Sequence, residues 1–316
     1  MSRVDQGLAF LFPGQGSQSV GMLAELADHH PAVVEVFGEA SEVLGYDAWA
    51  LVINGPEDRL NATHYTQPAM LAAGVAVWKV WCSVSDVRPA WLAGHSLGEF
   101  TALVCAGALG FQDGIHLVAE RARLMQSAVP AEVGAMAAVL GLDDEQVVAV
   151  CRQATIDGSA VSAANFNAPG QVVIAGHREA VTRATKLAKT AGAKRAIILP
   201  VSVPSHCPLM QPAGEQFKVF LDAVSFAKPS IPVIHNVDVA PHAEPSAIRQ
   251  ALEQQLCGSV RWVESVRYIT EQGVQRFVEC GPGRVLAGLN KRIVPGARTE
   301  SIFDTSSLAK AKGLAP

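Results

Sequence analysis

Gly94-His95-Ser96-Leu97-Gly98 is a G-x-S-x-G pentapeptide, lying between a short apolar run, Pro89 to Gly94, and a Leu/Ala/Val-rich segment, Leu97 to Leu109. A serine on a sharp strand-to-helix turn presents its hydroxyl to a substrate carbonyl, the placement that acyl transfer requires of a nucleophile. The same residues admit a plainer role, since Ser96-Leu97-Gly98-Glu99 also spells the S-x-x-E capping box of an ordinary helix. A serine nucleophile needs a base. Of the nine histidines, His206 is the best candidate, because Val203-Pro204-Ser205-His206-Cys207-Pro208 follows an apolar strand and is fixed by prolines. Cys207 supplies a thiol beside it, but residues adjacent in sequence rarely point at each other. His29 and His30, next to Pro31, read as solvent-facing, and no H-E-x-x-H or Cys/His spacing suggests a metal site.

Two further features bear on the same chemistry. Phe12-Pro13-Gly14-Gln15-Gly16-Ser17-Gln18 begins like a phosphate loop, yet Ser19 stands where G-x-G-x-x-G needs its third glycine. Glycines on both sides of Gln15 let a backbone N–H come close to a ligand, which together with the N–H of Leu97 would make an oxyanion hole; the plain alternative is a strand-to-helix turn. In the helix expected over Gln112 to Ala128, Val118, Arg121 and Met125 share one stripe at 100° per residue, while Arg123 faces the other way. An arginine on an apolar stripe either snorkels to the surface or meets a buried anion.

The elements that must position these residues follow from periodicity. Leu8 to Phe12 reads as a buried strand, Val33 to Leu44 and Pro68 to Val80 as helices, Pro89 to Gly94 as a strand and Leu97 to Leu109 as a helix. Between Gly134 and Ser202 the order is strand (135–140), helix (144–154), strands (160–165 and 171–175), helix (178–191) and strand (195–201), a βαββαβ ferredoxin-like unit. Residues 165–170 read as its central hairpin link. Beyond it come a loop (222–232), a strand (233–239), helices (245–255 and 260–271) and a last buried strand, Arg276 to Glu279. The expected organisation is a discontinuous α/β core, 1–130 with 203–316, interrupted by a 131–202 insertion.

Composition narrows the function classes. With 316 residues, 49% hydrophobic and 17% charged, the chain can bury a proper core. A net charge of −4 and the lack of any dense Lys/Arg run argue against nucleic acid or a membrane surface as partner. The six cysteines are far apart with no C-x-x-C, and neither a signal peptide nor a run of about 20 apolar residues is seen, so a cytoplasmic protein is expected.

Taken together, Leu-Phe-Pro-Gly-Gln-Gly-Ser-Gln, Gly-His-Ser-Leu-Gly-Glu-Phe, Arg121, Asn-Phe-Asn-Ala-Pro-Gly-Gln-Val-Val-Ile-Ala-Gly, Pro-Ser-His-Cys-Pro-Leu-Met and Glu-Cys-Gly-Pro-Gly occur in this order from end to end. The chain thereby resembles the malonyl-CoA:acyl carrier protein transacylases of fatty-acid synthesis. The resemblance implies an α/β fold, an α/β-hydrolase-like core with an inserted ferredoxin-like (βαββαβ) subdomain. It implies Ser96 as nucleophile, His206 as base, Gln255 orienting that base through its backbone carbonyl, and Gln15 and Leu97 as oxyanion donors. Arg121 becomes the cation for the malonyl carboxylate, with Met125 lining the acyl pocket. Malonyl-CoA and acyl carrier protein are the implied partners, with the CoA thioester as a substrate and no metal or redox cofactor. Two departures, His235-Asn236 where many relatives carry two amides and Cys280 where valine is common, are expected to lie clear of the chemistry.

Three other readings share these residues. A serine hydrolase or thioesterase would need a carboxylate third member, for which Asp113, Asp143, Asp144 and Asp157 fall in the required chain order without ending a core strand. A carrier-docking subunit would tolerate loss of Ser96 or His206. Within the family, a polyketide or malonate-decarboxylase transacylase has the same motifs. Lys186, Lys189, Lys194 and Arg195 on the insertion read either as a solvated helix face or as an attractant for an acidic carrier protein.

Overall fold

The computed structural model describes residues 2–130, 132–201 and 203–314. Among them are nine strands: β1 (Arg3–Phe12), β2 (Val87–Gly94), β3 (Gly134–Leu140), β4 (Val161–Ala168), β5 (Gln171–His177), β6 (Arg195–Ile198), β7 (Val233–Ile234), β8 (Arg276–Cys280) and β9 (Arg298–Ile302). They form two sheets. One is wholly parallel in the order β7-β2-β1-β8-β9, and the other wholly antiparallel in the order β4-β5-β3-β6.

A parallel sheet is stable only with both faces covered, and β1 shows how the sequence meets that demand. Leu8, Phe10 and Phe12 point into one apolar layer, shared with helices Thr63–Val84, Gly98–Cys105 and Phe111–Ala128. Ala9 and Leu11 point into the opposite layer, against helices Trp262–Glu271 and Val285–Ile293. All five side chains have no solvent exposure. The antiparallel sheet has its own core, in which Ala137, Val139, Val172 and Ile174 pack on helices Asp144–Ala154 and Arg178–Thr190. Its chain order is βαββαβ, the ferredoxin-like unit expected from the sequence. The other face of that sheet carries Met136 and Val173 over the carboxyl edge of the parallel sheet. Hydrogen bonds tie β4 to the segment just before helix Trp262–Glu271, from Val260 N to Ala164 O (2.8 Å) and from Phe166 N to Val260 O (3.0 Å).

Several sequence expectations need correcting. Residues 165–168 belong to β4, and the hairpin turns only at Pro169-Gly170, where Gly170 takes φ +69°. The expected strand 233–239 pairs only over Val233 and Ile234, because the next two residues turn away to serve the site. Arg276–Cys280 is not the last strand: β9 follows on the sheet edge, where Thr299 and Glu300 are half-buried and break the apolar pattern. The helix after the serine stops at Cys105, and the loop expected from 222 begins only after helix Gln211–Ala223. The boundary residues Ala131 and Ser202 lie outside the described residues. No described helix is long and apolar enough to cross a membrane.

Candidate active site

In open α/β sheets the crevice forms beyond the carboxyl ends of the strands, and here four such ends converge. Residues after β1, β2, β7 and β8 meet there, and the antiparallel sheet roofs them to enclose a cleft of about 530 Å³. The close fit of β1 and β2 begins at their ends: Phe12 pairs with Gly94, and His95 N donates to Phe12 O at 3.0 Å. A Cβ on Gly94 would lie 1.9 Å from the Gly98 backbone, and one on Gly98 would lie 2.0 Å from Phe12 O, so both pentapeptide glycines are required by contact alone.

This packing holds Ser96 at φ +53°, a strained conformation for a residue with a Cβ, costing on the order of 1–3 kcal/mol. The capping-box reading is overturned, since the Ser96 side chain accepts no hydrogen bond from the helix backbone; only its carbonyl does, from Glu99 N at 3.0 Å. Its Oγ lies 2.7 Å from His206 Nε2 instead. His206 Nδ1 lies 2.8 Å from the backbone carbonyl of Gln255. A carbonyl only accepts, so the proton sits on Nδ1, leaving the Nε2 lone pair free to take the Ser96 proton. Burial and the nearby Arg121 guanidinium push the His206 imidazole down to about 3, while the Gln255 carbonyl acts in the opposite direction. The ring is therefore a neutral base across the physiological range.

Arg121 resolves the misfit on its stripe in favour of burial, being 1% exposed. Its Nη1 donates to Gln67 Oε1 (2.8 Å), and its Nη2 to Gln255 Oε1 (2.9 Å) and to Ser96 Oγ (3.2 Å). Its Nε has no partner among the described residues, and no carboxylate touches the guanidinium. Burial lowers it to about 10, which still leaves it charged at neutral pH. A buried cation with neutral partners and a serine hydroxyl within reach is prepared for an anionic substrate group. Arg123, by contrast, is exposed and paired with Glu120.

Met125 and the backbones of Gln15 and Leu97 line the same cleft. Among the described residues the N–H groups of Gln15 and Leu97 have no hydrogen-bond partner, whereas the Ser96 N–H is taken by Asn236 Oδ1 at 2.7 Å. Every site residue expected from the sequence thus comes together around Ser96. Cys207 does not join them: its buried thiol donates to Pro204 O, and burial pushes it up to about 11. The aspartates considered as a third member do not join either, because the Gln255 carbonyl occupies Nδ1 and Asp143 caps the next helix. Among the described residues no group of three or more His, Cys, Asp or Glu is arranged to hold a metal ion.

Sequence reasoning missed a buried polar cluster behind the serine. His235 and Asn236, expected to lie clear of the chemistry, are unexposed and brace the turn: Asn236 Nδ2 donates to Gly94 O at 2.7 Å. His235 Nδ1 meets Glu99 Oε1 at 2.7 Å. Gln67, His95 and Asn167 were also missed, the last two joined from Nε2 to Oδ1 at 2.8 Å across the cleft. The only sequence signal for Gln67 is an amide at the head of the apolar run Pro68 to Trp78.

Comparison with known proteins agrees with this geometry. A family model described as an acyl transferase domain matches residues 9–297. The malonyl CoA-acyl carrier protein transacylase of Salmonella typhimurium is 52% identical over 303 residues, covering 96% of this chain and 98% of that protein. The structure of the malonyl CoA-acyl carrier protein transacylase from Coxiella burnetii superposes with a TM-score of 0.95 at 50% identity, covering 97% of this chain and 96% of that one. A malonyl-transacylase solved in complex with its type II PKS acyl-carrier protein has a TM-score of 0.95 at 54% identity, covering 96% and 98%.

Proposed function

The chain belongs to the acyl transferase family and, within it, to the malonyl-CoA:acyl carrier protein transacylases, and we propose on that footing that Ser96, His206 and Arg121 move a malonyl group from coenzyme A to a carrier-protein thiol. The observation that carries this reading is the buried Arg121 guanidinium, without an anionic contact, 3.2 Å from the nucleophile.

His206 Nε2 takes the Ser96 proton as Oγ attacks the thioester carbonyl. The N–H groups of Gln15 and Leu97 hold the developing oxyanion, each worth about 10²–10³ in rate. Arg121 receives the malonyl carboxylate through two parallel N–H donors, beside Met125. CoA leaves as a thiol, taking the proton back from His206, and a malonyl-serine ester remains. The phosphopantetheine thiol of the carrier then attacks the ester by the reverse path, giving ping-pong kinetics. Each step uses only side-chain and backbone groups of this chain, which supports a reaction without metal or redox cofactor. The separate apolar core of the antiparallel sheet and its two helices supports the division of the chain into 1–130 with 203–316 and an inserted 131–202.

The test is intact-protein mass after brief exposure to malonyl-CoA. A malonyl adduct that persists in water, vanishes when carrier protein is added and is absent from Ser96→Ala is the expected result. An adduct lost to water without carrier would mean a hydrolase, and no adduct would mean a docking subunit. Supply of a polyketide carrier is a second reading with the same chemistry, favoured by the complex with a type II PKS carrier.

A further inference from the structure

Glu99 is a carboxylate with no solvent exposure, one turn beyond the nucleophile, and the reaction as described does not use it. Three donors from two distant segments converge on it. Oε1 faces His235 Nδ1 at 2.7 Å, and Oε2 accepts from Asn236 N at 3.0 Å and from Gln255 Nε2 at 2.9 Å. His235 Nε2 is buried without a partner among the described residues, so the tautomer with its proton on Nδ1 leaves no donor orphaned.

The Gln255 side chain lies between Glu99 and Arg121. Its Nε2 also donates to Ser96 O at 2.9 Å, while its Oε1 accepts from Arg121. An amide can be turned either way, but a carboxylate only accepts and a guanidinium only donates, so this sandwich permits one orientation. Gln255 also supplies the carbonyl that fixes His206. One residue thus meets both the base and the carboxylate-binding cation.

We infer that Glu99 is a positioning residue, which fixes the Gln255 amide and through it aims Arg121 at the acyl carboxylate. This rests on the malonyl-transfer reading above. The length of the Glu99 side chain is what matters, since the oxygens must reach Gln255 Nε2.

Two variants separate reach from charge. Glu99→Asp keeps the charge but withdraws the oxygens by about one C–C bond, 1.5 Å. Glu99→Gln keeps the reach, with one oxygen accepting from Gln255 and its amide N–H donating to His235 once that ring shifts its proton to Nε2; the Nε2 donor then lacks a partner, a cost in stability that cancels in a ratio of rates. The readout is the ratio of kcat/KM for malonyl-CoA to that for acetyl-CoA on one preparation, which needs no correction for the folded fraction. Glu99→Asp is expected to lower this ratio at least about tenfold, in line with the cost of misplacing a binding group. Glu99→Gln is expected to hold it within about threefold, and Glu99→Asp in the Gln255→Leu background should lower it no further. An unchanged ratio in Glu99→Asp, or a larger fall in Glu99→Gln than in Glu99→Asp, would overturn the inference. Should Glu99→Asp not accumulate, Glu99→Ser carries the same expectation. Failure of the malonyl-transfer reading is distinguishable, because the wild type would then form no Ser96-dependent malonyl adduct.

Discussion

Replacing Arg121 with alanine separates recognition of the malonyl group from the bond chemistry. In the wild type the guanidinium is 1% exposed and held by the amides of Gln67 and Gln255, so an arriving carboxylate would be buried against it. Removing one member of such a pair costs about 3–5 kcal/mol, which is about 10²- to 10⁴-fold in kcat/KM for malonyl-CoA. Acetyl transfer has no carboxylate to lose, and should fall far less than malonyl transfer although the 3.2 Å contact to Ser96 Oγ goes as well. The same substitution removes a cation that holds His206 down. The acid limb of the wild-type rate profile should therefore be missing near the ordinary imidazole value of 6.5, and should move up toward it in Arg121→Ala. The assay is kcat/KM for both acyl-CoA substrates as a function of pH, with formation of the Ser96 ester followed by intact mass. Equal losses for malonyl and acetyl groups would refute the argument that Arg121 binds a carboxylate.

Other expectations follow from the same geometry. Burial and Arg121 push the His206 imidazole from its ordinary 6.5 down to about 3, so between these values the unfolded chain binds more protons. Stability should accordingly fall as pH drops through that window, and the melting temperature of His206→Asn should fall less between pH 7 and pH 5 than that of the wild type; parallel falls would argue against a buried neutral imidazole. Gly98→Ala drives a Cβ into Phe12 O and should leave little folded protein, as read by circular dichroism and soluble yield; a near-normal melt would mean that the turn can relax. Lys186, Lys189, Lys194 and Arg195 are all exposed, and reversing their charge should slow transfer to the carrier while leaving formation of the malonyl-serine adduct unchanged. Carrier kinetics indifferent to both salt and charge reversal would reduce these residues to a solvated face.

The chemistry was more legible in this sequence than the support beneath it. Ser96, His206 and Arg121 announce themselves, because an elbow, a proline-fixed histidine and a cation on an apolar stripe each break a local pattern. The βαββαβ order was readable for a related reason: its strands are short apolar runs, and its helices carry apolar residues at a 3.6-residue period. Edge strand β9 was not, since its half-buried Thr299 and Glu300 interrupt the apolar alternation. Glu99 stood in the sequence only as part of an alternative S-x-x-E capping box, and tertiary packing is what gives its carboxylate other partners. His235 and Asn236 were hidden by distance: they lie about 140 residues from Ser96 and carry no local signal of the buried carboxylate they answer.

The peptide carbonyl behind His206 fixes the imidazole but brings it no negative charge, and Arg121 stands on the other side. A proton on this ring is therefore weakly held. Taking a proton from a thiol, whose ordinary pKa is about 8.5, is far less uphill for such a base than taking one from water, at about 15.7. Ser96 escapes the handicap because its hydroxyl is already 2.7 Å from Nε2 and beside a guanidinium that favours the alkoxide. On the malonyl-transfer reading, an ester on Ser96 is protected by the acidity demanded of whatever attacks it, so that a thiol is served and solvent is turned away.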